Sequence, residues 1–249
     1  MGNLFHIDLH THTCASGHGT ADTITDMAKA AASKKIMLLG ISDHGPATSG
    51  AAGLNYFRSL PLGERKRFGV SMLYGAEANI LDNEGHLDIP DDILKALDYV
   101  IISMHSPIYS PGSVKENTLA YERAMEHPNV RIIGHCDDSR FPVDYPLLVK
   151  AAAKRNIVPE LNNVSLQPDS YRKNCRRNAV RLLTACMEEG RPILLSSDSH
   201  GSRYIGDMTL AWELARQRAF PESLIGNFHP KSLLMPLFQN LLQHSSSGL

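Results

Sequence analysis

The stretch Tyr99-Val100-Ile101-Ile102-Ser103-Met104-His105 decides how this chain folds. Its run of aromatic and branched residues reads as a strand covered on both faces, as in a parallel sheet. Its last residue is a histidine, placed where the strand ends. Val130-Arg131-Ile132-Ile133-Gly134-His135 repeats the arrangement. Working outward, five more strands are predicted, at Leu4–Leu9, Ile36–Ser42, Ser71–Glu77, Ile157–Leu161 and Pro192–Ser197, which makes seven. Stretches of helical period separate them: Thr23–Lys35, Val114–Glu126, Tyr145–Arg155, Lys173–Glu189 and Asp207–Gln217, with Pro230–Leu242 closing the chain. Gly190 stands where the C-terminal cap of the fourth of these helices belongs.

Alternating strands and helices fit either an open doubly wound sheet or a closed barrel. The polar residues separate the two. His10, Glu77, His105, His135, Glu160 and Asp198 each stand at or just after the C-terminal end of a different strand, and His44 follows the second strand by two residues. In a barrel those ends converge on one face. At the two edges of an open sheet they would be too far apart to share a site. The expected fold is an α/β, TIM-like (β/α)7 barrel, one domain over residues 1–243, with residues 244–249 a disordered tail.

The chain has 249 residues, 25 Lys and Arg against 26 Asp and Glu, and a formal net charge of -1. A protein that binds nucleic acid by neutralising phosphates usually carries a basic excess. The densest charge run, Glu64-Arg65-Lys66-Arg67, reads as a solvated helix face. Nucleic acid is therefore not an expected partner, whereas one small anionic substrate needs no basic excess. Cys14, Cys136, Cys175 and Cys186 fit neither a zinc motif nor a disulfide framework. Reduced thiols and a cytoplasmic location are expected. No run of apolar residues is long enough to span a bilayer, and the start Met1-Gly2-Asn3-Leu4-Phe5-His6 has His6 where a myristoylation signal needs Ser or Thr. A homo-oligomer is compatible with this composition.

Three kinds of motif carry the chemistry. His10-Thr11-His12 places two imidazoles at i and i+2, on one side of a strand, where both can face one ion. Asp198-Ser199-His200 repeats that spacing with a carboxylate. Glu77, His105 and His135 each end an apolar strand, where a carboxylate is costly to bury unless paired or metal-bound. Glu77 has two oxygens and is the candidate bridge between ions. His18, in a Gly- and Ser-rich loop, and His44, in Ser42-Asp43-His44-Gly45, complete the set; Asp43 would orient a neighbouring histidine. A lone histidine at such a place is more often a satisfied core residue. Seven of them with a Glu and an Asp, all at strand ends, point to two or three metal ions. His6, His86, His127, His229 and His244 have no such placement, and Cys14 and Cys136 are not needed as ligands.

The chain resembles the PHP (polymerase and histidinol phosphatase) superfamily, in particular its trinuclear-metal phosphatases of the YcdX type. The resemblance rests on Asp8-Leu9-His10-Thr11-His12-Thr13, Ser42-Asp43-His44-Gly45-Pro46, Gly75-Ala76-Glu77-Ala78-Asn79, Glu160-Leu161-Asn162-Asn163 and Ser197-Asp198-Ser199-His200, in that order. It implies a distorted seven-stranded barrel. It also implies three divalent ions (zinc, manganese or iron), held by His10, His12, Glu77 and Asp198, by Glu77, His105 and His135, and by His18, His44 and His200. Cys136-Asp137 departs from the Pro-Gly usual after the histidine at 135.

The implied reaction is hydrolysis of a small phosphate monoester by a water whose pKa a metal has lowered to about 7, with Glu77, Asp198 and His200 as catalytic groups. Arg140, Arg172 and Arg203 fall in loops from which an arginine could reach phosphate; taken singly, each reads as an exposed loop residue. Three other readings use the same residues. One is a PHP-type phosphodiesterase or exonuclease acting on nucleotides. Another is an amidohydrolase, whose eight-stranded barrel usually bridges its ions from the fourth strand. The last is a non-catalytic metal-binding module.

Overall fold

The computed structural model describes residues 6–229. Seven parallel strands pair in the order β1 (Ile7–Asp8), β3 (Leu38–Ile41), β5 (Val70–Asn79), β6 (Tyr99–Ser103), β7 (Val130–Ile133), β8 (Val158–Asn162) and β9 (Leu194–Ser196). All seven predicted strands are present. Helices α1 (Ile24–Ser33), α4 (Val114–Ala124), α5 (Tyr145–Lys154), α6 (Cys175–Glu188) and α7 (Thr209–Gln217) match the five predicted within 229 residues. The expected helix Pro230–Leu242 and the expected tail lie outside the described residues.

Strand periodicity sets the two cores. On β6, Tyr99 and Ile101 point into the barrel, where they meet Leu9, Leu73, Ile132, Val158 and Leu194. Val100 and Ile102 point outward and pack under the helices. Both faces are apolar because both are covered. Tyr99 fills the barrel only because β3 and β5 carry glycine where it packs. A Cβ on Gly40 would stand 2.2 Å from its hydroxyl, and one on Gly75 would stand 2.6 Å from its carbonyl oxygen. Its hydroxyl donates to Leu9 O at 2.7 Å.

The barrel is nearly closed, and polar groups complete it. Strands β1 and β9 are not laddered to each other. Their continuations, β2 (Thr11–His12) and β10 (Ser199–His200), pair in parallel, His12 opposite His200. Below this pair Asp8 accepts from Ser197 N at 3.3 Å and Oγ at 2.5 Å. Lower still, Asn227 bonds Leu195 N and O and Ile7 O. A side-chain amide thus stands in for a missing ladder.

Local signals fix the helix ends. Thr23 with Asp26 and Ser113 with Glu116 form capping boxes at α1 and α4. Gly190 takes φ 59° after α6, as its position predicts. The chain also has elements that were not predicted: α2 (Leu54–Ser59), the one-turn α3 (Asp91–Leu94) and the edge strand β4 (Lys66–Arg67). Glu64–Arg67 is therefore not a helix face. Lys66 and Arg67 pair antiparallel with β5, Arg65 bonds Asp98, and Arg67 Nη1 donates to Thr25 Oγ1 at 3.0 Å. Alternate exposure along an edge strand produces the same charge run. No helix among the described residues is long and apolar enough to cross a membrane.

Candidate metal centre

The strand ends bring all nine predicted ligands to one face. His10 and His12 come from the break between β1 and β2, His44 follows β3, Glu77 lies in β5, and His105 and His135 follow β6 and β7. Asp198 and His200 come from the break between β9 and β10. Asp198 takes φ 52°, a left-handed conformation that aspartate tolerates better than most residues. That turn aims its carboxylate at the histidines. His18 stands at the rim, its ring centroid 5.0 Å from those of both His44 and His200.

Eight of the nine have donor atoms in compact groups at metal-ligand spacing; His18 falls in none of these groups. Around a tetrahedral ion with bonds of about 2.0–2.1 Å, ligand atoms lie about 3.3 Å apart. His10 Nε2 is 3.5 Å from Glu77 Oε2 and 3.6 Å from Asp198 Oδ1; His12 Nε2 is 3.6 Å and 3.2 Å from the same two oxygens. On the other side of the glutamate, Oε1 lies 3.4 Å from His105 Nε2 and 2.7 Å from His135 Nε2, which are 3.2 Å apart. Glu77 therefore faces one donor set with each oxygen. His44 Nδ1 lies 2.7 Å from Glu77 Oε2. His44 forms compact groups both with His12 and His200 and with Glu77 and His105.

Buried polar atoms almost always find hydrogen bonds, and leaving one without costs about 1–3 kcal/mol. Here His10 Nε2, His12 Nε2, His44 Nδ1, Glu77 Oε2, Asp198 Oδ1 and His200 Nε2 are buried without hydrogen-bond partners. These are the inward-facing atoms. The outward nitrogens of His10, His12, His18, His105 and His200 are engaged. Glu160 Oε1 accepts from His10 Nδ1 at 2.6 Å. Asn79 Oδ1 accepts from His105 Nδ1 at 2.7 Å, the Asn79 amide nitrogen being donor to Asp88. Ser16 Oγ gives its proton to Asp43 at 2.6 Å, so it accepts from His12 Nδ1 at 2.9 Å. Backbone carbonyls of Ser16 and Asp198 take Nδ1 of His18 and His200. With the proton held on Nδ1, the Nε2 lone pair of these five rings, when neutral, is left for the centre.

The electrostatics give the same state. Burial pushes the carboxyls of Glu77 and Asp198 up, but the histidines around Glu77, and His10 with Arg172 around Asp198, outweigh it and hold both well below the usual range. Burial, with neighbouring imidazoles, holds His12 well below its ordinary value; burial also lowers His18, His105 and His200. Ionised carboxylates and neutral imidazoles are the forms that bind metal. His10 differs. Burial pulls it down, yet Glu160, Asp198 and Glu77 together raise it well above its ordinary value. The carboxylates that stabilise an imidazolium there would also attract a cation. This donor set is that of a divalent-metal site.

Asp43 supports the centre indirectly. It touches no imidazole; it accepts from Thr13 N and Oγ1, Ser16 Oγ and Tyr56 OH, and reaches His12 through Ser16. Glu160 Oε2 also takes His135 N at 2.7 Å, so one carboxylate fixes two ligand loops. Its strand-end position was the available sequence signal. Arg172 is buried, unlike the exposed loop residue expected. It donates to Asp198 Oδ2 at 2.9 Å, Asn162 Oδ1 at 3.2 Å and Ser165 Oγ at 3.1 Å. Arg140 forks onto Asp138, and Arg203 is exposed beside Tyr204. Cys136, buried next to His135, stays out of the compact donor groups, and Asp137 after it accepts from Ser165 Oγ. Burial pushes the Asp137 carboxyl up to about 7. His86 and His127 pair with Asp82 and Asp91 on the surface.

A cleft of about 420 Å³ opens onto His18, His44 and His105. That volume suits one small molecule.

Known proteins resemble this chain. A probable phosphatase from Clostridium novyi is 39% identical over 228 residues, 92% of each chain, and one from Clostridium acetobutylicum is 37% identical over the same share. The fold is similar to that of a histidinol phosphate phosphatase from Lactococcus lactis, solved with zinc, L-histidinol and phosphate, at a TM-score of 0.58 and 16% identity, covering 86% of this chain and 94% of that one. The family model described as the PHP domain matches residues 8–165, which hold seven of the nine converging ligands. With relatives so similar over nearly their whole length, the chain belongs to the PHP domain family.

Proposed function

We propose that this protein is a metal-dependent phosphatase that hydrolyses a small phosphate monoester at a centre of three divalent ions. The observation that carries the reading is Glu77, buried, with one oxygen toward His10 and His12 and the other toward His105 and His135. The names of the clostridial relatives and the zinc and phosphate in the Lactococcus lactis structure support the same chemistry.

In this reading His10, His12, Glu77 and Asp198 hold one ion, and Glu77, His105 and His135 a second. His18, His44 and His200 would hold a third. Zinc, manganese and iron all suit such ligands. When bound, the ions supply an activated water and neutralise charge developing on the phosphate. Glu77, Asp198 and His200 act as catalytic groups by their contact with the ions. Glu160, Ser16 and Asn79 hold the ligand rings in one tautomer. Arg172 pins Asp198 Oδ2 and leaves Oδ1 turned inward. Arg172 and Arg140 are committed to Asp198 and Asp138, so the phosphate charge falls to the ions rather than to these arginines.

The test compares phosphate release from p-nitrophenyl phosphate with cleavage of a short oligonucleotide, using protein purified without chelators. Turnover of the monoester and not the oligonucleotide is expected. The reverse preference would make this a phosphodiesterase, and no turnover of either would leave a metal-binding module.

A further inference from the structure

The walls of the cleft differ in character from its floor. The floor is the histidine cluster. Ala47, Thr48 and Ser49 form one wall, from the loop after β3. Ser106, Pro107 and Ile108 form another, from the loop after β6. Tyr171, from the loop after β8, closes the third side. Its side chain is more than half exposed. Two guanidinium groups hold its ring, Arg172 at 5.2 Å and Arg140 at 5.4 Å from the centroid. Both cations are tied to carboxylates, so they give the ring a fixed charged backing and it presents a flat surface to the cleft.

Charge is confined to the floor. Among the described residues lining the cleft, none is Asp, Glu or Lys. Asp88, behind the Ala47 loop, uses its oxygens on Ala47 N, Asn79 N and Asn79 Nδ2. Thr48 Oγ1 accepts from Asn79 Nδ2 and keeps its own proton to donate. The walls thus offer apolar contact and a few hydroxyls. An ammonium on the leaving group would find no carboxylate on these walls and would share the cleft with the cations that the floor would hold. A buried or half-buried charge without a partner is disfavoured.

We infer that this cleft selects phosphate monoesters of uncharged alcohols that carry a flat apolar body, with Tyr171 as the specificity-determining surface. The inference rests on the phosphatase reading and narrows its substrate class. It sets this chain apart in expected preference from an enzyme that acts on an amino-alcohol phosphate.

The experiment uses the metal-loaded full chain and a matched pair of alkyl esters, 3-phenylpropyl phosphate and O-phospho-L-phenylalaninol, which differ only in the ammonium on the middle carbon. L-histidinol phosphate is a third probe. The neutral ester is expected to have a kcat/KM at least tenfold above both amines. Tyr171→Ala should raise KM for the neutral ester about tenfold with kcat little changed, and Tyr171→Phe should keep the wild-type KM. Ser49→Asp should shrink the neutral-to-ammonium ratio severalfold by placing a carboxylate on the wall. Equal or better turnover of the amines would overturn the inference while leaving the phosphatase reading intact. So would an unchanged KM in Tyr171→Ala. No phosphate release from any ester would sink the phosphatase reading and this inference with it.

Discussion

Arg172→Met separates a supporting arginine from a phosphate-binding one. The Arg172 guanidinium is buried against Asp198, Asn162 and Ser165, and methionine keeps most of its stem volume. Removing one partner of a buried ion pair typically costs about 3–5 kcal/mol, because the remaining charge stays in a poorly solvated place. For a chain of this size each kcal/mol moves Tm by about 2–4 °C, which gives a fall of roughly 6–20 °C. Asp198 would also lose its fixed orientation, and disturbing such a support commonly lowers metal affinity about 10–100-fold. Arg172→Lys keeps the charge but not the fork and should fall between the two. The assay is thermal unfolding with chelator present, so that bound metal does not mask the loss, together with a metal titration. An unchanged Tm and metal affinity with a raised KM would refute the reasoning, because that is the signature of an arginine that touches only substrate.

Other consequences follow from the same geometry. Gly75→Ala places a Cβ against the carbonyl and ring of Tyr99, and should destabilise the barrel by about 1–3 kcal/mol in a denaturant titration; a neutral result would mean that Tyr99 is not the tight filler described. Glu160→Gln should lower metal affinity about 10–100-fold by weakening the hold on His10 Nδ1, read by calorimetry on metal-free protein; unchanged affinity would remove Glu160 from the support of the centre. For Asp138, burial raises the carboxyl but hydrogen bonds from Arg140 outweigh it and depress the folded value below the ordinary one. Its contribution is therefore present above the ordinary carboxylate range and is lost as pH falls through the depressed value. Asp138→Asn should cost about 1 kcal/mol at neutral pH and nothing in strong acid. A deficit that persists at low pH would contradict that origin.

Much of the fold is legible because parallel strands are buried on both faces. Val100–Ile102 and Ile132–Ile133 are apolar for that reason, and the histidines after them stand out. The barrel ends then turn isolated coin-flip residues, such as His44 and His135, into one cluster. Barrel closure is not legible in the same way. It depends on Asp8 meeting Ser197 and on Asn227 meeting Leu195 and Ile7, contacts between distant positions that leave no local period. The supporting residues are hidden for the same reason. His10 and Glu160 lie 150 residues apart in sequence, and Arg172 looks like any loop arginine until Asp198 is beside it. Glu64–Arg67 misleads because charge runs occur both on helix faces and along exposed edge strands.

The central claim is a bridged, multinuclear centre. Metal analysis combined with anomalous scattering, on protein purified without chelators, tests it most directly. The account predicts three ions in the wild type, two of them sharing Glu77, and loss of the shared pair in Glu77→Ala while the fold persists. A single ion in the wild type, or a full complement retained in Glu77→Ala, would contradict it.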